Sequence, residues 1–330
     1  MTLSIPKDMR AYRINEPGGP EQLILTQMPL PDCPADNVLI RVRAFGLNRS
    51  EWFTRRGDSP NVRFPRVLGI ECVGEIVDGG NTDLKIGQRV AAMMGGMGRD
   101  FDGSYAEYTV IPRQNVFALQ TTLPWKMLGA LPEMLQTTHG SLYTALQIEH
   151  AENLLVRGGT SSIGFAAIAL GCAAGLNVCA TTRTMAKTEA LITASANHVL
   201  IDKGEIAAQA RQLYPHGFDR VLELVGTTTL LDSLRATRRG GTVCMTGILG
   251  GEWVLPNFNP LSGIPTAVNL TTYSGEATDI SESKLQEHVD LVVSGKLTLI
   301  TGPVFRFEQL LEAHRRMGED TANGKIVIVL

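Results

Sequence analysis

Several things are missing from this 330-residue chain, and each absence closes off a class of function. No basic run is present that could track a phosphate backbone. With 30 Lys and Arg against 33 Asp and Glu the net charge is −3, so neither nucleic acid nor a membrane surface is an expected partner. Cysteine is sparse and odd in number: Cys33, Cys72, Cys172, Cys179 and Cys244 are scattered, mostly in apolar runs, which fits reduced, buried thiols and not a disulfide framework. His139, His150, His198, His216, His288 and His314 have no metal-ligand spacing and read as surface or capping residues. Asp102, Glu107 and Glu133 show no paired-carboxylate spacing, and no Gly-x-Ser-x-Gly turn occurs, so hydrolase chemistry is set aside. Residues 1–10 mix Lys7, Asp8 and Arg10 without an apolar core; no signal peptide or anchor is expected, and the expected compartment is the cytoplasm. Repeats, low-complexity linkers and coiled-coil heptads are absent as well.

What is present, 44% apolar residues over 330, describes a globular chain of about two domains. It is organised around residues 153–164. There the apolar run Leu154-Leu155-Val156 leads through Arg157 into the turn Gly158-Gly159-Thr160-Ser161-Ser162-Ile163-Gly164, which opens a helix over 163–174. A turn without bulky side chains lets backbone N–H groups approach a pyrophosphate, and the helix N-terminus adds partial positive charge. The spacing departs from Gly-x-Gly-x-x-Gly, because Ser161 and Ser162 fill the middle. The following helix is apolar nearly all round, as a helix packed on a parallel sheet should be.

Six apolar strands can be counted from there, at 154–157, 177–181, 198–201, 219–224, 242–246 and 268–273, with helical patterns between the first five. That is the α/β, doubly wound arrangement of a parallel sheet. Before it, from Tyr12 to about Thr121, short strands at 23–25, 38–44, 72–77, 89–94 and 104–111 are punctuated by Gly, Pro, Asn and Asp, an irregular β-rich domain. The last thirty-odd residues resume that style. The expected division is therefore 1–123 with 296–330 for the β-rich domain and 124–295 for the dinucleotide-binding domain. At the end of the second strand stand Thr181, Thr182 and Arg183, with Lys187 one helical turn on. An acid there would bind a ribose 2′-hydroxyl, whereas a cation with small hydroxyls accommodates a 2′-phosphate; no acid is present, so NADPH is expected over NADH.

These residues carry a family resemblance over nearly the whole length. Gly46-Leu47-Asn48, Pro65 to Gly74 (Pro-Arg-Val-Leu-Gly-Ile-Glu-Cys-Val-Gly), Gly87-Gln88-Arg89-Val90, Gly103-Ser104-Tyr105-Ala106-Glu107-Tyr108, the Gly158 to Gly164 turn, Leu224-Val225-Gly226 and Asn323-Gly324-Lys325-Ile326-Val327 occur in order. The chain resembles the medium-chain dehydrogenase/reductases, and among them the zinc-independent NADPH:quinone oxidoreductases. The resemblance implies a Rossmann domain of six parallel strands beside a GroES-like catalytic domain. It also places Asn48 where the zinc enzymes of the superfamily have a cysteine, and Ile70 where they have the histidine of Gly-His-Glu. From 91 to 101, near a structural zinc loop, methionines and glycines stand and no cysteine, so no metal is expected. Without a Lewis acid an alkoxide is poorly stabilised, so alcohol oxidation is not expected; hydride delivery to an electron-poor π system needs no metal.

By the same resemblance Asn48 would face the nicotinamide and position it, and Thr138 would contact the diphosphate or nicotinamide ribose. Thr160, Ser161, Ser162 and Ile163 would bind the pyrophosphate; Thr182, Arg183 and Lys187 the adenosine end; Gly226, Gly247, Ile248 and Leu249 the nicotinamide half; and Lys325 would reach the cofactor from the returning C-terminal segment. The implied reaction is hydride transfer from NADPH to a small electrophilic acceptor, a quinone or similar conjugated carbonyl. Alternative readings are an alkenal or enone double-bond reductase, and an NADPH-binding module without turnover. The family often has a tyrosine at the position of Phe53, and related enoyl reductases one near Ser59, so the proton donor stays unnamed. Arg55, Arg56 and Arg63 could attract an anionic substrate but read first as a solvated loop face. A homodimer is expected, because the sixth strand leaves a sheet edge that a second copy would pair.

Overall fold

The computed structural model describes residues 5–319 and 321–330. Residues 1–4 of the N-terminal ten read above lie outside the described ones. Eight strands come first: β1 (Asp8–Ile14), β2 (Ile24–Pro29), β3 (Asn37–Gly46), β4 (Arg66–Val67), β5 (Glu71–Asp78), β6 (Arg89–Met93), β7 (Tyr108–Pro112) and β8 (Val116–Ala118). The sequence reading missed β1, whose Met9, Ala11, Tyr12 and Ile14 are buried beneath a segment with charges at every third place, and it drew β7 too long. Residues 104 and 105 are instead held across to the loop before β5: Ser104 N–H donates to Gly69 O and Tyr105 N–H to Leu68 O. In β3 the alternation is structural, since Val38, Ile40 and Val42 are buried while Arg41 and Arg43 are half-buried; Arg43 reaches Glu75 on β5 at 2.6 Å.

The next six strands are β9 (Asn153–Arg157), β10 (Asn177–Thr182), β11 (His198–Ile201), β12 (Phe218–Glu223), β13 (Thr237–Met245) and β14 (Asn269–Thr272). All five pairings are parallel, in the order β11-β10-β9-β12-β13-β14. Leu155 at the centre lies opposite Cys179 on one side and Val221 on the other. Every residue of β9 and β12 is buried, as strands covered by helices on both faces must be. The order reverses at β9, so the carboxyl ends of β9 and β12 flank the place where such sheets bind ligands. After β13 the chain forms only the single turn Pro260–Gly263 before β14, an edge strand paired on one side.

Two last strands, β15 (Thr301–Arg306) and β16 (Lys325–Val329), return to the first sheet, where β16 runs antiparallel to β3 with Ile328 opposite Phe45. The β-rich part thus holds a seven-stranded sheet and the three-stranded sheet β2-β1-β4. By Cα proximity one compact unit comprises the chain up to Gln136 with Glu276–Val293 and Thr301–Leu330, and the other comprises Thr137–Gly275 with Ser294–Ile300. The helix Glu282–Val293 therefore groups with the first unit, whereas the sequence boundary at 295 keeps it with the second.

Candidate functional site

In the second unit the strand β9 ends at Arg157 and the chain turns at Gly158, whose φ is +89°. Ser161 caps the helix Ser162–Ala173: its Oγ accepts from Gly164 N–H at 3.0 Å and donates to Gly158 O at 2.9 Å. Its own N–H closes a turn on Gly158 O, which leaves the first-turn amides of Ser162 and Ile163 without an intrahelical partner. Thr160, Ser161, Ser162 and Ile163 are all half-buried. Gly164 has no room for a side chain, since a Cβ there would lie 2.5 Å from Gly158 O and 2.6 Å from Gly159 O. The turn is thus a bare-backbone cradle before a helix N-terminus, which suits a pyrophosphate.

On one flank the turn is fastened to β10. Gly158 N–H donates to Thr181 Oγ1 at 3.1 Å and Gly159 N–H to Thr181 O at 3.1 Å. Thr182 is buried and its hydroxyl bonds back to Thr184; Arg183 is exposed and Lys187 half-buried. On the other flank Glu223 Oε1 accepts from the N–H groups of Val225 (2.7 Å) and Gly226 (2.9 Å), folding the turn after β12. Gly226 (φ +105°) lies against the backbone of Gly247 and Ile248, and a Cβ on Gly158 would meet Leu249 Cδ1 at 3.2 Å. The structure therefore gathers Gly158, Gly226, Gly247, Ile248 and Leu249 along one rim. The helix Pro132–His139 carries Thr138, and just past its end Ser141 Oγ bonds Thr246 Oγ1 at 2.9 Å, next to Gly247. Thr138 is fully buried, and its hydroxyl has no hydrogen-bond partner. An unsatisfied buried hydroxyl and a cradle that excludes side chains both fit a dinucleotide at this rim.

In the first unit, Asn48 precedes the helix Arg49–Arg56 and is buried. Its Nδ2 donates to Glu51 Oε1 (3.2 Å) and Glu71 Oε1 (3.0 Å), and its Oδ1 accepts from the Lys325 ammonium. Two carboxylates on one side and a cation on the other fix which way the amide points. Both amide protons are spent, so the amide is held in place by its own neighbours. Lys325 likewise spends all three N–H donors, on Asn48, Glu71 (2.7 Å) and Glu133 (2.8 Å), so it acts on anything bound nearby only through those groups. Burial alone would lower its pKa; the charges and hydrogen bonds of Glu133 and Glu71 more than reverse this and hold it above the ordinary lysine value. Burial pushes the Glu51 carboxyl up to about 7, against the opposing pull of Lys325 and Asn48. Glu133, set aside above for want of a spacing partner, thus joins Glu51 and Glu71 in a cluster that only the return of β16 assembles.

Other expectations change. Arg55 is buried and donates to Gly18 O at 2.7 Å, so it is not a solvated face, while Arg56 stacks on Trp52 and pairs with Asp58. His288 and His314 are core residues; His314 bonds Tyr105 Oη at 3.0 Å, and burial lowers its pKa to about 3. All five cysteines are free, with Cys33 and Cys172 half-buried and the others buried. Among the described residues no three His, Cys, Asp or Glu are grouped so as to hold a metal ion, and no helix is long and apolar enough to cross a membrane. The sequence reading missed Arg157, wholly buried beside the glycine turn. Its signal was a lone charge closing the run Leu154-Leu155-Val156.

Residues 34–121 match the family model of the alcohol dehydrogenase GroES-like domain, and residues 194–328 that of the zinc-binding dehydrogenases. The quinone oxidoreductase of Homo sapiens is 26% identical over 333 residues, covering 98% of each chain. Among solved structures, the quinone oxidoreductase from Coxiella burnetii superposes with a TM-score of 0.83 at 21% identity, covering 98% of this chain and 100% of the other. A mycobacterial protein solved with NADPH superposes at 0.85 with 23% identity and the same coverage. At those identities the superpositions show the shared fold: a parallel Rossmann sheet with a GroES-like β domain.

Proposed function

We propose, from the premise that the chain belongs to the medium-chain dehydrogenase/reductase superfamily and its quinone oxidoreductase-like family, that this oxidoreductase uses NADPH, without zinc, to reduce a quinone or similar conjugated carbonyl. The observation that carries the reading is the side-chain-free turn at the carboxyl end of β9, flanked by Gly226, Gly247 and the unsatisfied Thr138 hydroxyl. A reduced nicotinamide, when bound, supplies the hydride. The amides of Ser162 and Ile163 would hold the pyrophosphate, Thr138 a ribose or diphosphate oxygen, and Arg183 with Lys187 the 2′-phosphate. Asn48, locked by Lys325, Glu51 and Glu71, would face the nicotinamide and position it. Zinc independence rests on the donor set: Asn48 and Ile70 stand where a metal would need a thiolate and an imidazole.

Phe53 has no proton to give, and the acceptor's proton would come from water or from another side chain. Pairing of β14 with a second copy would cover its open edge and form a homodimer. Five free thiols suit a reducing compartment, for which we propose the cytoplasm. The test is steady-state NADPH oxidation on a quinone panel beside a panel of alkenals and enones. Turnover of quinones supports the reading, turnover of enones alone shifts it to a double-bond reductase, and tight NADPH binding without consumption on either panel leaves a binding module.

A further inference from the structure

Arg157 has a fully buried side chain and is the last residue of β9, so its backbone runs directly into the glycine turn. Its guanidinium makes six hydrogen bonds. Nε and Nη2 clamp Asp202 at 2.7 and 3.0 Å, Nη2 also donates to Gly204 O at 2.9 Å, and Nη1 donates to Asp232 at 2.9 Å, Thr229 O at 3.0 Å and Ser233 Oγ at 3.1 Å. Two arms leave this fork. In the first, Asp202 lies near the Thr181 hydroxyl, which helps hold its carboxyl below the ordinary value, and Thr181 Oγ1 accepts Gly158 N–H at 3.1 Å. In the second, Ser233 Oγ donates to Glu223 Oε2 at 2.5 Å, and Glu223 Oε1 holds the N–H groups of Val225 and Gly226. Each arm passes through one hydroxyl, and in the second Ser233 accepts from Arg157 and donates to Glu223, which gives that arm a fixed direction.

The first arm ends on the amide that starts the glycine turn; the second ends on the turn that carries Gly226. We infer that Arg157 is a positioning residue that holds both halves of the dinucleotide rim in register, the pyrophosphate turn through Thr181 and the nicotinamide turn through Ser233. The inference deepens the cofactor reading and rests on it. A lysine could not replace the fork, because an ammonium has three donors and no bidentate geometry for Asp202. Arg157 touches no ligand itself; it acts through backbone amides three contacts away along each arm.

Wild type, Arg157→Lys, Thr181→Val and Ser233→Ala are compared by calorimetry with NADPH, NADH, adenosine diphosphate for one half and reduced nicotinamide mononucleotide for the other, alongside thermal melting. Arg157→Lys should weaken both fragments by roughly tenfold, the scale of a lost charge-assisted hydrogen bond. Thr181→Val should weaken adenosine diphosphate and leave the mononucleotide within about twofold, and Ser233→Ala the reverse. A merely structural role would lower melting temperatures without that crossed split. If Arg157→Lys does not fold, the two hydroxyl variants decide alone. Folded hydroxyl variants that lose both fragments equally, or neither, overturn the inference while wild-type binding keeps the cofactor reading intact; a wild type that takes up neither NADPH nor NADH overturns both.

Discussion

Each of the two compact units buries a cation completely, Lys325 in the first and Arg157 in the second, and each surrounds it with acids, but the two clusters balance differently. Lys325 is a point charge with three donors, all taken, and a third carboxylate, Glu51, connects to it only through Asn48. One cation serves Glu51, Glu71 and Glu133, and burial, with a smaller push from the Glu71 charge, holds Glu51 up at about 7. Arg157 meets both of its aspartates directly. Burial pushes Asp202 upward, but the Arg157 bonds outweigh it and hold the carboxyl below its ordinary value. The first cluster can therefore take up a proton near neutrality, while in the second the Arg157 bonds keep Asp202 charged. The planar fork of an arginine can grip one acid through two nitrogens and reach further acceptors, which a three-donor ammonium cannot do.

The largest effect that would break this contrast comes from Lys325→Met. Removing the cation strands buried carboxylates, at a cost of about 3–5 kcal/mol at pH 8. Because burial holds Glu51 up at about 7 and also raises Glu71, that loss should shrink by pH 6 as Glu51 protonates. Urea titrations at the two pH values measure it, and a penalty independent of pH would mean that the carboxylates do not titrate as described.

Next in size is Glu51→Gln. The folded pKa of about 7 lies above the unfolded value of 4.5, so the contribution of this group to stability is full below about pH 4.5 and is lost as pH rises through 7. Between those limits the wild type should lose up to about 3 kcal/mol relative to the glutamine variant. Parallel stability curves across that range would show that Glu51 is ionised throughout.

Both clusters escaped the sequence, and for the same reason. The doubly wound sheet could be read because it rests on local signals: apolar runs at 154–156 and 243–245, and a glycine turn followed by small apolar residues. The partners of a buried charge leave no such trace. Glu133 and Lys325 are 192 residues apart, and Arg157 finds Asp202 and Asp232 at separations of 45 and 75. A lone charge in a β-strand was the available hint at Arg157, and Glu223 is a charge set between the apolar Val221-Leu222 and Leu224-Val225. Polar groups placed inside by tertiary pairing look, one residue at a time, like a solvated face.

On the rim fastened by the buried Arg157, Arg183 is an exposed cation, and it sharpens the contrast between scaffold and contact. Arg183→Ala should leave the fold untouched and weaken NADPH by roughly 1.5–3 kcal/mol while sparing NADH, the range for a hydrogen bond to a charged group. Calorimetric titration of both nucleotides reads this out; equal losses would remove the assignment of the 2′-phosphate to this residue.

The smallest effect should come from Thr138→Val, and its value lies in its sign. The clusters around Lys325 and Arg157 satisfy their polar atoms, whereas the Thr138 hydroxyl is buried without a partner, an expense that the fold bears in the free protein. Valine has the same shape and removes the orphan, so the ligand-free variant should gain about 1 kcal/mol in stability. Should that hydroxyl serve the cofactor, the same substitution should also weaken NADPH by about 1 kcal/mol, the net worth of one neutral hydrogen bond. Melting without ligand and titration with it give the two numbers separately. A gain in the first with a loss in the second marks a group kept for binding at the expense of stability; a loss in the first alone would mean that Thr138 belongs to the core, as the residues of the other two clusters do.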